Sequence, residues 1–194
     1  MTGQEYDVVV VGSGAAGLVA ALTAAHQGLS TVVVEKAAHY GGSTARSGGG
    51  VWIPNNEILK RDGVSDTAEA ARTYLHAIIG DVVPAEKIDT YLQRGPEMLS
   101  FVLKNSPLKM CWVPGYSDYY PETPGGRPAG RSIEPKPFDA RKLGPDEKGL
   151  EPPYGKVPLN MVVMQQDYVR LNQLKRHPRG LLRSLKVGVR SVWA

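Results

Sequence analysis

Gly12-Ser13-Gly14-Ala15-Ala16-Gly17 spells G-x-G-x-x-G, and eighteen residues past Gly17 stands a carboxylate, Glu35. Each part has a task in holding a dinucleotide. Gly12 permits a tight turn, Gly14 has no Cβ to obstruct a pyrophosphate, and Gly17 lets a helix lie close against a strand. Ala15 and Ala16 crowd nothing, so first-turn N–H groups and the positive end of a helix dipole hold the phosphate charge without a lysine. Glu35 can accept both hydroxyls of a ribose and would repel a 2′-phosphate, which disfavours NADP. These residues leave NAD and FAD both open.

The motif carries weight only between a strand and a helix. Tyr6 to Val11 is a β-branched run ending at Gly12, Ala15 to Gln27 has helix-forming composition up to a stop at Gly28, and Thr31 to Glu35 reads as a second buried strand. Strand, turn, helix, strand is the opening βαβ unit of a doubly wound sheet. Beyond it a helix is expected from about Asp66 to Ile79 with Ser65 or Asp66 as N-cap. Another is expected from Pro84 to about Lys104, kinked or broken at Gly95-Pro96. Eleven of the fifteen prolines lie between Pro107 and Pro158, so no helix is expected to run through that stretch. Its aromatics, Trp112, Tyr116, Tyr119, Tyr120, Phe138 and Tyr154, argue for an ordered loop. Two further helices are expected, Met164 to Arg176 and Arg179 to Trp193. The chain thus divides into a nucleotide-binding part (1–60), a helical segment (61–106), a Pro/Gly/Tyr-rich region (107–160) and a basic helical segment (161–194).

Composition narrows the alternatives. No apolar run approaches the about 20 residues of a membrane span, so no transmembrane segment is expected. Residues Met1 to Asp7 have neither the basic region nor the apolar core of a secretory signal, which points to the cytoplasm. Cys111 is the only cysteine and reads as a small buried apolar residue. His26, His39, His76 and His177 have no ligand spacing, so no metal is expected. The net charge of +4 concentrates from Gln165 onward, where seven basic residues face only Asp167. Without interleaved aromatics or a recognised motif this reads as a solvated helix face, not a nucleic-acid surface.

A second segment separates the dinucleotides. After Glu35 the chain runs Lys36-Ala37-Ala38-His39-Tyr40-Gly41-Gly42-Ser43-Thr44-Ala45-Arg46-Ser47-Gly48-Gly49-Gly50. Glycines here let backbone lie against a flat ring system, and Ser43, Thr44 and Ser47 can offer hydroxyls to phosphate and ring heteroatoms. The segment resembles the one that fumarate-reductase-like FAD enzymes thread along pyrophosphate and flavin, so the resemblance implies FAD. Members of that group with covalent flavin carry a histidine where Ser43 or Thr44 stands, which implies non-covalent FAD. The cofactor-contacting residues expected are Gly12, Ser13, Gly14, Ala15, Ala16, Gly17, Glu35, Lys36, Gly41, Gly42, Ser43, Thr44, Ser47, Gly48 and Gly49. The fold class expected is α/β, an incomplete Rossmann-like FAD/NAD(P)-binding domain with helical and Pro/Gly-rich irregular segments.

Gly48 to Asn56, Pro114 to Glu122 and Gly130 to Asp139 together resemble the 3-ketosteroid Δ1-dehydrogenases, over essentially all 194 residues. The resemblance implies 1,2-dehydrogenation of a 3-ketosteroid: a tyrosinate takes the C2 proton, hydride passes from C1 to flavin N5, and an external acceptor reoxidises the flavin. Tyr119 matches a family tyrosine that supports the proton-abstracting one through a hydrogen bond. Tyr116 and Tyr120 read as wall or packing residues, and Asp118 beside them has no assigned role and no evident partner. Relatives are far longer, so the chain is expected to be the N-terminal, FAD-binding part of such an enzyme, with the main base elsewhere. Alone, with two parallel strands uncovered, it is expected to bind FAD weakly and to aggregate. A ketosteroid Δ4-dehydrogenase, a related fumarate-reductase-like flavoenzyme and a non-catalytic nucleotide-binding module remain the alternatives.

Overall fold

A computed structural model of the chain describes residues 3–155, 161–172 and 178–193, which form two compact units. The first comprises Met1–Gly49, Pro137–Val162 and Gly188–Ala194, and the second Gly50–Lys136 and Val163–Val187. The Pro/Gly-rich stretch is therefore shared, its first part built into the second unit and its remainder returning to the first.

In the first unit β1 (Val8–Val11) and β2 (Thr31–Val34) pair in parallel, Val8 opposite Thr31 through Val11 opposite Val34, with α1 (Ala15–His26) between them in sequence. Uninterrupted β-branched residues favour extended backbone. Gly12 turns the chain out of β1 at φ +97 while its N–H still donates to Val34 O at 2.8 Å. Gly28, at φ +83, ends α1 as a left-handed glycine, a conformation that costs other residues steric strain. A short α2 (Gly42–Arg46) follows. The sheet is poorly covered among the described residues: Val9 is 58% exposed, Val11 84% and Val34 43%.

The returning segment begins with 3-10 turns at Ala140–Gly149, broken at Gly144 by φ 58, ψ −129. It then straps the turn that precedes α2. Tyr40 N donates to Gly149 O and Glu151 N to Tyr40 O, each at 2.8 Å, and Tyr154 N donates to Arg46 O. The Arg46 guanidinium lies 4.1 Å from the Tyr154 ring centroid and its Nε is 3.6 Å from Glu151.

The second unit holds an antiparallel sheet of order β3–β5–β4, formed by Val51–Trp52, Ser132–Pro135 and Met110–Trp112. Its core gathers Ile53, Ile58, Leu59, Leu99, Met110 and Ile133. Neither β4 nor β5 is foreseen by the sequence reading. Three or four residues are too few to show periodicity, and these strands exist because they pair across the nineteen residues from Val113 to Arg131. The same unit carries α3 (Glu57–Arg61), α4 (Ala68–Ile79), α5 (Ala85–Asn105) and α6 (Gln165–Leu171), and α7 (Pro178–Trp193) as far as Val187. The expected extension of α6 to Arg176 runs into residues 173–177, outside the described residues.

Two details differ from the sequence reading for a physical reason. The N-cap of α4 is Thr67, whose hydroxyl accepts from Ala70 N, because the Asp66 carboxylate is taken by Arg131 and by Asn55 N. And α5 runs unbroken through Pro96. An interior proline costs about 3 kcal/mol. Burial of a side chain such as Ile88, Leu92, Leu99 or Val102 returns about 1.5–3 kcal/mol, so packing on both sides of Pro96 outweighs the lost hydrogen bond.

Cys111 is buried, as its composition suggests, and burial first, then the Glu134 carboxylate, push its thiol pKa up. Glu134 reaches from β5 to cap α6, accepting from Gln165 N at 2.7 Å and from Gln166 N at 3.4 Å. Among the described residues no helix is long and apolar enough to cross a membrane, and no three His, Cys, Asp or Glu side chains gather as metal ligands.

Candidate cofactor cradle and tyrosine loop

The glycine motif occupies the turn between β1 and α1. A Cβ on Gly17 would fall 2.0 Å from Gly12 O, so glycine at 17 is what permits helix and turn to touch. Gly14 is different. Its backbone, φ −69 and ψ 178, suits any residue, and a Cβ there would meet no atom within 4 Å. The fold itself does not require glycine at 14; a diphosphate lying on bare backbone does. The first turn of α1 has no acid, and its N-cap Gly14 has no side chain to cap it; Ala15 N is met by Thr44 Oγ1, and the positive end of the helix suits an anion. The donor set and the bare surface fit the pyrophosphate of a dinucleotide.

The Gly41–Gly49 segment folds onto this turn. Gly41 and Gly42 take φ +107 and +55, and a Cβ on Gly42 would sit 3.5 Å from Gly14 Cα. Thr44 Oγ1 accepts from Ala15 N at 3.2 Å, which places a hydroxyl at the helix N-terminus. Ser47 is engaged locally: its hydroxyl donates to Thr44 O and accepts from Gly49 N. Lys36, Ser43 and Gly48 are exposed, and Gly49 adopts φ +67.

Ser13 and Glu35 join the parts. Ser13 is buried, its hydroxyl donates to Glu35 Oε2 at 2.5 Å and accepts from Gly41 N at 2.9 Å, and its N–H donates to the same carboxylate oxygen. The Ser13 side chain is thus a bolt behind the cradle, a role its place inside the motif does not reveal. Glu35 Oε1 accepts from Ala37 N. A carboxylate offers about four lone-pair sites, and the Ser13 and Ala37 hydrogen bonds fix the orientation of Glu35 at the end of β2. The hydrogen bond from Ala37 N, then those from the Ser13 hydroxyl and N–H, lower the Glu35 pKa from 4.5 to about 2. The anion at this position repels a 2′-phosphate.

A depressed folded-state pKa means a contribution fully present above the unfolded value and lost as pH falls through the folded one. The stability difference between wild type and Glu35→Ala is therefore expected to be constant above pH 4.5 and to shrink toward pH about 2. Thermal unfolding of the flavin-free proteins across pH measures it, and a difference that varied between pH 5 and 8 would contradict the assignment.

In the second unit the segment 114–131 carries the tyrosines. Tyr119 is 85% exposed, while Asp118, its neighbour, is 2% exposed. Asp118, unassigned in the sequence, has three donors: Trp52 Nε1 at 2.8 Å on Oδ1, with Arg131 Nη1 at 2.5 Å and Arg127 N at 3.1 Å on Oδ2. Arg131, fully buried, also donates through Nε to Asp66 and through Nη2 to Gly125 O. No spacing rule finds this cluster, since positions 52, 66, 118, 127 and 131 share no local pattern. Burial first, then the neighbouring Tyr119 phenol, raise the Tyr116 pKa.

A strand-turn-helix cradle with bare backbone at Gly14 and a carboxylate closing the second strand defines a dinucleotide-binding protein, and the chain belongs to the FAD binding domain family, matched over residues 7–187. FAD is accordingly the dinucleotide of this family. Among named proteins, the 3-oxosteroid 1-dehydrogenase of Mycolicibacterium smegmatis is 90% identical over 193 residues, and that of Mycobacterium tuberculosis 82% over 194. All of this chain aligns in each case, with 34% of the relative. A solved 3-ketosteroid Δ1-dehydrogenase from Sterolibacterium denitrificans, in complex with 1,4-androstadiene-3,17-dione, superposes with a TM-score of 0.86 at 37% identity. It covers 95% of this chain and 33% of its own. The chain thus spans about a third of the length of the relatives it matches.

Proposed function

We propose that the chain forms the FAD-holding part of an enzyme that dehydrogenates the C1–C2 bond of a 3-ketosteroid, that its FAD is not covalently tethered, and that Tyr119 supports proton removal from C2. The observation that carries this reading is the 90% identity along the whole chain to a 3-oxosteroid 1-dehydrogenase. FAD supplies the hydride acceptor.

This chain's residues bind and orient. The first-turn N–H groups of α1 take the pyrophosphate, aided by the Thr44 hydroxyl at the same helix end. Glu35 takes the ribose hydroxyls, and Gly48 and Gly49 offer backbone without side chains to the ring system. Neither Ser43 nor Thr44 can form the histidyl tether of covalent relatives, which supports a dissociable cofactor. Removing a proton beside a ketone requires that the developing enolate oxygen be stabilised and that the base be held in reach. An exposed phenol at Tyr119, with Tyr116 kept protonated at its side, suits a supporting donor. Electrons leave to an external acceptor. A cytoplasmic setting goes with this reading, and the lone thiol Cys111 suits a reducing compartment.

The test is anaerobic mixing of the full-length flavoprotein containing this chain with a 3-ketosteroid saturated at C1–C2. Bleaching of the flavin with appearance of the 1-ene product is expected. A yellow protein that does not bleach would transfer the assignment to an enzyme acting on another ring bond, and a preparation without flavin would remove it altogether.

A further inference from the structure

Asp118 and Tyr119 are adjacent, and one is sealed inside while the other projects outward. Whatever holds the Asp118 side chain therefore fixes the backbone from which Tyr119 projects. The hold is unusually complete. Three donors meet on Asp118: a β3 indole, the arginine just before β5 and the backbone N–H of Arg127 in the same segment. Trp52 is itself fixed, its carbonyl accepting the Tyr91 hydroxyl and its ring lying parallel to Tyr91 at 6.4 Å and tilted against Tyr74 at 5.9 Å. The Arg131 guanidinium stands 5.7 Å from the Trp52 and Tyr74 ring centroids.

The ends of the tyrosine segment are pinned as well. A Cβ on Gly130 would fall 1.7 Å from Tyr116 O, and one on Gly126 2.6 Å from Tyr120 O, so both carbonyls rest on glycine backbone. Tyr120 N donates to the Tyr74 hydroxyl at 3.2 Å. Buried ion pairs add little net stability over apolar packing of the same volume, because desolvation offsets the attraction. What such a cluster does supply is direction, since each carboxylate and guanidinium bond tolerates a narrow range of geometry.

We propose that Asp118, oriented by Trp52 and Arg131, is a positioning residue that aims the Tyr119 phenol, with Tyr116 beside it, at the ketone-bearing ring of the substrate. The proposal rests on the 3-ketosteroid dehydrogenase reading above. Trp52→Phe is the direct probe: it keeps an aromatic ring in place and removes one donor from Asp118 while leaving the charge of Asp118 paired with Arg131. Asp118→Asn, of the same shape, is the second.

In the full-length holoenzyme Trp52→Phe is expected to lower kcat for a 3-ketosteroid about 10-fold, a fraction of the about 100- to 10,000-fold that a positioned proton-transfer group contributes. KM should stay within about 2-fold and bound FAD remain stoichiometric. Tyr119→Phe, introduced into the Trp52→Phe enzyme, is expected to cost much less than in wild type, because the phenol it removes is already misdirected. Asp118→Asn should show the same non-additivity. An unchanged kcat in Trp52→Phe, or Tyr119→Phe and Trp52→Phe effects that simply multiply, would overturn the positioning role while leaving the dehydrogenase reading intact. A Tyr119→Phe enzyme as fast as wild type would overturn the positioning role and the support given to Tyr119, and a wild-type holoenzyme without 3-ketosteroid turnover would overturn the dehydrogenase reading as well.

Discussion

Replacing Gly17 with alanine should strip the cofactor from the enzyme. A Cβ at that position lies 2.0 Å from Gly12 O and 3.0 Å from Gly12 C, and both belong to the backbone of the turn, which cannot rotate aside as a flexible side chain would. Relief requires α1 to back away from the turn, carrying with it the N–H groups that face the diphosphate. Overpacking of this kind costs about 1–3 kcal/mol in stability. A comparable loss in FAD binding, about 2.7 kcal/mol, corresponds to about 100-fold in Kd, enough that Gly17→Ala emerges from purification nearly colourless. Gly14→Ala is the informative companion. Its Cβ meets no protein atom, so the flavin-free protein should lose no more than the about 1 kcal/mol by which an N-cap prefers glycine to alanine, while its FAD affinity falls. Flavin-to-protein ratio after gel filtration and thermal unfolding of the flavin-free forms check both. Stoichiometric flavin in Gly14→Ala would show that no diphosphate lies against that backbone.

The second large effect is expected at Arg131. Arg131→Met leaves Asp66 and Asp118 buried without their shared cation, and breaking a buried ion pair from one side costs about 3–5 kcal/mol. At about 2–4 °C per kcal/mol, Tm should fall by about 10 °C. Apolar replacement of all three charges should not restore it. Trp52 Nε1 and Arg127 N lose their acceptor with Asp118, and Asn55 N loses its own with Asp66. Arg131→Lys should recover less than half of the loss, since Nε, Nη1 and Nη2 reach Asp66, Asp118 and Gly125 O in three fixed directions that an ammonium on a flexible stem does not reproduce. Thermal unfolding of the three variants measures this, and a Tm for Arg131→Met within about 2 °C of wild type would contradict it.

The amino-acid sequence by itself determined the local features whose physics is contained in a few consecutive residues. The β1 valine run, the left-handed turn at Gly12, the close approach at Gly17 and the helix ending at Gly28 follow from residue type and spacing, and the structure shows each of them. Long-range pairing was beyond it. Tertiary packing alone decided that α5 runs through Pro96, that Thr67 rather than Asp66 caps α4, and that three- and four-residue strands form inside a proline-rich stretch. It also decided that Ser13 bolts Glu35 to Gly41, and that Asp118 has Trp52 and Arg131 as partners. The reason is common to all of these. Burial and hydrogen bonding between residues distant in sequence each contribute a few kcal/mol, enough to override a local preference of similar size, and which distant groups meet is a property of the folded chain as a whole.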